Sequence, residues 1–169
     1  TAGFNTADLT AFTQTGQFLL IGLMLIGGSP GSTAGGMKTT TAAVLAANAW
    51  AVFRRDEQAH CFGRRIGDDA VRNAATIFLM YIVLFFTGGL IISLAEDLPI
   101  AACLFETASA IGTVGLSLGL TPGLGRLSQL VLIALMFFGR VGGLTIIFAA
   151  LSGTRGSAAR LPQEKITVG

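Results

Sequence analysis

Residues 96–117 read EDLPIAACLFETASAIGTVGLS, and the length of the helix they contain decides the fold. Asp97 suits a helix N-cap and Pro99 a first turn, so a helix is expected over residues 99–112. Some 14 residues at 1.5 Å each give ~21 Å, short of the ~30 Å hydrocarbon layer of a bilayer. The stretch that precedes it, residues 73–95 (NAATIFLMYIVLFFTGGLIISLA), carries no charge over 23 positions and is long enough to cross. Thr10 to Phe53 and Leu127 to Ser152 are two further apolar stretches, each interrupted by one basic residue, Lys38 and Arg140. The composition agrees: 52% hydrophobic and 12% charged residues, with a mean hydropathy of +0.72, against about 25% charged in soluble domains. The expected class is an all-α membrane protein.

The charges give the orientation. Arg54, Arg55, Arg64, Arg65 and Arg72 share one connector, and Arg155, Arg160 and Lys165 share the tail, whereas Glu96 and Asp97 make the other connector acidic. Basic connectors stay inside. The helix 73–95 therefore runs outward, and the short helix 99–112 enters from outside and cannot leave on the far side. It must turn back within the membrane, where bare backbone is tolerated only along a water-filled path or buried in protein. The turning segment is Thr113, Val114, Gly115, Leu116 and Ser117, after which the chain spans back over residues 126–152.

The chain also repeats itself at an offset of 112 residues. TAGFN at residues 1–5 lies over TVGLS at 113–117, and QFLLIGLMLIG at 17–27 over QLVLIALMFFG at 129–139. Thr1, Gly3, Gln17, Leu20, Ile21, Leu23, Met24, Gly27, Gly31 and Thr33 meet identical residues at Thr113, Gly115, Gln129, Leu132, Ile133, Leu135, Met136, Gly139, Gly143 and Thr145. Repeats of this kind build one pore from several copies of a unit. The unit is helix, re-entrant pore helix, extended loop, helix. Residues 1–53 supply only the loop and a broken final helix of one copy; residues 54–72 form an inner connector; residues 73–152 make a whole copy; residues 153–169 are an inner tail. The chain opens on Thr-Ala-Gly without a signal peptide, so it reads as a fragment.

The break lies in Gly27-Gly28-Ser29-Pro30-Gly31-Ser32-Thr33-Ala34-Gly35-Gly36, whose glycines and proline each penalise a helix interior. It reads either as a close helix interface or as a mobile loop. Arg140 occupies the register position of Gly28, ~21 Å down its helix, a depth at which a guanidinium needs a partner or water. Two roles stand open for it: a cationic barrier in an ion path, or a clamp on the free carbonyls of the broken helix. Glu106, seven residues before Thr113, is expected to hydrogen-bond behind the loop, with ion coordination as the alternative. Lys38 either snorkels or takes part in gating.

Other classes lack their residues. His60 is the one histidine, and no nucleophile, base and acid set or metal-ligand spacing accompanies it, which excludes an enzyme. Cys61 and Cys103 lie too far apart in depth for a disulfide and have no Cys-x-x-Cys spacing for a metal. A net charge of +2 excludes a nucleic-acid partner. A passive assembly subunit would have no use for a repeated loop before each final helix. An inverted-repeat transporter would not run both final helices outside to inside.

TAGFNT, GGSPGSTAGGMKT, FETASAIGTVGLSLGLTP, FFGRVGGLT and the closing LPQEKITVG together resemble the Trk/Ktr/HKT superfamily of K⁺ transporters, in particular the bacterial Ktr-type pore-forming membrane subunit. The resemblance implies four fused K⁺-channel-like units, of which this chain is the end of the third and all of the fourth. It implies a plasma-membrane, multi-pass protein in which K⁺ is held by backbone carbonyls of Thr1, Ala2, Gly3, Thr113, Val114 and Gly115. Rings of carbonyls replace the hydration shell of such an ion. Thr1 and Thr113 add hydroxyl oxygens, and Phe4 and Asn5, with Leu116 and Ser117, replace the second glycine of ordinary K⁺ channels. That departure leaves a Na⁺-permeable or mixed transporter as the alternative. The resemblance makes the glycine run an intramembrane gate. It also implies a homodimer contacting membrane lipid and a cytosolic ring of regulatory subunits that bind the nucleotide, with no cofactor on this chain.

Overall fold

The computed structural model describes residues 2–56 and 58–142. Among these residues it is helical, with one short hairpin: α1 (Gln14–Ile26), α2 (Thr39–Arg54), β1 (His60–Cys61), β2 (Arg64–Arg65), α3 (Asp68–Glu96), α4 (Ile100–Ile111) and α5 (Arg126–Val141). The tail 153–169, the last part of the expected helix 126–152, and the repeat partners Gly143 and Thr145 lie outside the described residues.

α4 is the hub. It packs on α1, α3 and α5, and α3 packs in addition on α2 and α5. Every residue of α4 from Cys103 to Ile111 is buried, as a short helix wrapped by others requires. Two clusters form the core. Tyr81, Ile92, Cys103, Ile111, Leu132 and Leu135 fill one side of α4, and Ile21, Met24, Phe85, Leu104, Phe105 and Val114 the other. Glycines set the approach of α3: a Cβ on Gly88 would lie 2.8 Å from Leu135, and one on Gly89 2.5 Å from Leu104. Small residues at a crossing let membrane helices come this close.

α3 has 29 residues and a mean hydropathy of 2.5 over its apolar window, and is the one described helix long and apolar enough to cross a membrane. It starts at Asp68 rather than residue 73, because the polar first turns, with Arg65 bridging Asp68 at 3.7 Å and Arg72 bridging Asp69 at 2.9 Å, are helical as well. The connector is correspondingly shorter and folds as a hairpin whose two-residue turn, Phe62 and Gly63, has φ of 49° and 73°, the signature of a tight hairpin turn.

The capping expectation at the turn between α3 and α4 is corrected. Asp97 does not start α4; it closes α3 in the left-handed region at φ 53°, and Pro99 is the N-cap of α4. With α3 running to Glu96, only Asp97, Leu98 and Pro99 remain to reverse the chain, so Asp97 is spent on the turn itself. Glu96 has another task. Its Oε1 accepts from Gly125 N–H at 2.8 Å and Ser128 Oγ–H at 2.6 Å, capping α5 from a neighbouring helix.

Candidate functional site: two glycine loops over a glycine-rich hairpin loop

The C-terminus of α4 turns sharply into the 113–117 segment. Val114 N–H bonds Ser109 O at 2.9 Å and Thr113 N–H bonds Ala110 O at 3.0 Å, the paired closure of a Schellman end. Glycine usually takes the left-handed position of that motif; here Thr113 does, at φ 50°. A β-branched residue in that region is strained, so its surroundings must hold it.

The first loop lies against the second. Gly3 (φ 75°) and Gly115 (φ 87°) both need glycine's freedom. A Cβ on Gly3 would stand 2.7 Å from Val114 O, and one on Gly115 3.8 Å from Gly3 Cα. The two copies therefore bring their glycines together. Ala2, Phe4 and Asn5 are exposed beside this junction, and Asn5 Nδ2 donates to Ala7 O at 2.9 Å. Thr1 lies outside the described residues. Further along the chain, Thr10's hydroxyl, then its N–H, holds the Asp8 carboxyl below the usual range.

Behind the second loop stands Glu106, 4% exposed. Its Oε1 accepts from Ser117 Oγ–H at 2.7 Å and Leu118 N–H at 2.9 Å, and its Oε2 from Thr121 Oγ–H at 2.8 Å. One carboxylate thus takes three donors from the strand that leaves Gly115 and Leu116. A carboxylate is acceptor-only and can accept all three.

Below lies the loop between α1 and α2. α1 stops at Ile26 and Gly27 takes φ 72°. The loop is pinched at its neck by Met37 N–H to Leu25 O at 3.4 Å and Thr39 N–H to Gly28 O at 3.0 Å. Its limbs cross at Gly27 and Gly36, where a Cβ on Gly27 would stand 2.6 Å from Gly35 O and one on Gly36 3.1 Å from Gly27 Cα. Ser29, Pro30, Gly31, Ser32 and Thr33 form its exposed tip, tied by Ser32 N–H and Oγ–H to Ser29 O at 3.2 and 2.6 Å. Three successive residues are then held from outside the loop's tip. Arg140 Nη1 donates to Thr33 O, Lys38 Nζ to Ala34 O, and Gly35 N–H to Thr113 Oγ1 at 2.8 Å.

A cavity of about 480 Å³ sits between Ala2, Gly28, Ser29, Ser32, Thr33, Ala34, Thr113 and Arg140. A larger one, about 880 Å³, is lined by residues 113–117 together with Glu106, Thr121, Met136, Phe137 and Arg140. Among the described residues Arg140 is the cation that lines both. Sequence reasoning missed Thr121 and the capping role of Glu96, and it placed Gly35 in the glycine run without its partner, because each acts through a residue 15 to 78 positions away along the chain.

Among the described residues this is an all-α membrane architecture with a short buried helix at its centre. The profile of the family described as TrkH, cation transport protein, matches residues 1–157, and the chain belongs to that family. The potassium/sodium uptake protein NtpJ of Enterococcus hirae is 40% identical over 175 residues, covering 100% of this chain and 39% of that protein. The Ktr system potassium uptake protein B of Vibrio alginolyticus is 34% identical over 169 residues, covering 100% and 37%; its Bacillus subtilis namesake is also 34% identical, covering 100% and 38%. The chain thus spans about two fifths of the length of these relatives. They are transporters, not enzymes.

Proposed function

We propose that the chain forms the end of the third and all of the fourth pore unit of a plasma-membrane K⁺ uptake protein, with residues 1–5 and 113–117 as selectivity-filter segments. The observation that carries this reading is the contact of Gly3 with Val114 and Gly115 directly over the glycine-rich loop. In such a pore the carbonyls of Thr1, Ala2, Gly3, Thr113, Val114 and Gly115 replace the ion's water. Glu106 holds the outer strand of the filter rather than the ion, since its two oxygens already serve three donors. The loop 27–36, with Lys38, is the gate, and Arg140 closes it by bonding Thr33 O. Arg140 is then both of the roles the sequence left open, a cation in the path and a clamp on the loop. Further expectations of the same reading are a homodimer in lipid and a cytosolic nucleotide-binding ring that docks on the inner connector and tail.

The test is Rb⁺ uptake with Na⁺ competition by the full-length protein in cells lacking their own K⁺ uptake, native against Gly115→Ser. At φ 87° a side chain distorts the strand, so the variant is expected to lose at least tenfold of the native preference for Rb⁺ over Na⁺. Correctly inserted native protein without cation uptake overturns the pore and leaves an assembly subunit. The name of the Enterococcus relative, with Leu116 and Ser117 in place of a second glycine, favours one second reading, a mixed K⁺/Na⁺ path. Native uptake that Na⁺ and K⁺ inhibit equally selects it.

A further inference from the structure

We infer that the Thr113 hydroxyl couples the glycine-rich loop to the ion path, so that a cation bound at Thr113 and a seated loop oppose each other. The inference rests on the pore reading above. Gly35 and Thr113 are 78 positions apart and belong to different copies of the repeat, yet Gly35 N–H donates to Thr113 Oγ1 at 2.8 Å. There is no room for a larger residue at this point: a Cβ on Gly35 would overlap the Thr113 side chain. Thr113 also lines the cavity between loop and filter, and its left-handed backbone, φ 50°, is one a threonine holds only under constraint.

A hydroxyl oxygen has two lone-pair directions. An N–H on one and a cation on the other place two positive ends against one small oxygen, so each weakens the other. A K⁺ ion taking the Thr113 oxygen therefore favours release of Gly35. Release of the loop raises K⁺ affinity at Thr113 by the same factor, because coupling between two binding events is reciprocal. The loop that blocks the path is in this way loosened by the ion it blocks. Thr113 acts here as a positioning residue for the loop, apart from any oxygen its carbonyl gives the ion.

The experiment follows the loop directly. In the full-length protein in proteoliposomes, with Cys61→Ser as background, a cysteine at the exposed loop tip, Ser32→Cys, is labelled by a membrane-impermeant maleimide in K⁺ and in choline, while Rb⁺ flux is recorded on the same vesicles. Native Thr113 is expected to label about fivefold faster in K⁺, the factor of one neutral hydrogen bond. Thr113→Val keeps the shape and deletes the hydroxyl; it should label fast in both salts. Gly35→Ala should do the same from the other partner, and Thr113→Ser, which keeps the hydroxyl, should keep the K⁺ response of the labelling. A K⁺ response that survives in Thr113→Val, that is absent from the native protein, or that Thr113→Val and Thr113→Ser lose alike overturns the coupling. Rb⁺ flux without these labelling differences sinks the coupling alone. K⁺-dependent labelling without Rb⁺ flux sinks the pore reading, and with it the ion path, and leaves only a K⁺-sensitive bond between Thr113 and the loop.

Discussion

α1 and α5 carry the same pattern, QFLLIGLMLIG against QLVLIALMFFG, and the two copies part at its last residue. After Gly27 come Gly28, Ser29 and Pro30, and α1 ends at Ile26. After Gly139 comes Arg140, a good helix former, and α5 continues to Val141. The shared glycine serves opposite ends. Gly27 turns the chain at φ 72° and lies against Gly35, while Gly139 stays within α5 and admits no side chain, because a Cβ there would overlap the Ile111 carbonyl. The unlike continuations then meet, as Arg140 from one copy bonds Thr33 O in the other. A repeated scaffold has thus been made asymmetric by a few residues, which sets the loop of one copy against Arg140 of the other.

The starts of the two helices differ as well. α1 is capped by its own Thr13, whose Oγ1 accepts from Gly16 N–H at 3.2 Å. The register counterpart, Gly125, has no side chain, and Glu96 of α3 supplies the acceptor instead. The first cap is local; the second fastens two helices together.

Substitutions break or sharpen this contrast. The largest effect is expected from Gly139→Ala, which drives a methyl into the Ile111 backbone and should destabilise the full-length protein by about 3 kcal/mol. Thermal unfolding in detergent measures it, and a native-like melting temperature would mean that the α4–α5 contact is looser than described. Next comes Glu96→Ala, which strands the buried Ser128 hydroxyl and Gly125 N–H and should cost about 2 kcal/mol. Adding Gly125→Thr copies the first repeat's cap and should restore about 1 kcal/mol; no recovery would show that Glu96 matters as a tie rather than as a cap. The smallest is Gly22→Ala, which installs the residue found at Ala134 where a Cβ meets nothing within 4 Å. It should gain about 0.5–1 kcal/mol from helix propensity.

What was legible in the sequence was what the local chain enforces. The long helix was placed at 73–95 against Asp68–Glu96, the short one at 99–112 against Ile100–Ile111, and the break at Gly27 fell where proline and glycines forbid continuation. Composition and helix length carry those features. The Asp97 misreading came from treating a cap as a property of one helix when the turn was shared by two. Hydrogen bonding by Glu106 behind the loop is an expectation of the sequence, but its particular donors and the bonds of Glu96 and Gly35 are illegible there for another reason. Each joins residues that no periodicity relates, and only the packing of α4 among its neighbours brings them together. The roles proposed for these residues rest on that placement, and the uptake and labelling experiments test them.

The length of α3 has a mechanical consequence. Twenty-nine residues at 1.5 Å each give about 44 Å, well beyond the ~30 Å of hydrocarbon, so α3 must tilt or project from the bilayer. α1 and α4 are too short to register that mismatch. The polar first turns of α3, residues 68–72, account for much of the excess, and at the other end Glu96 ties α3 to the start of α5. At the other end of α5 stands Arg140. α5 is thus fastened at both ends, to α3 through Glu96 and to the loop through Arg140.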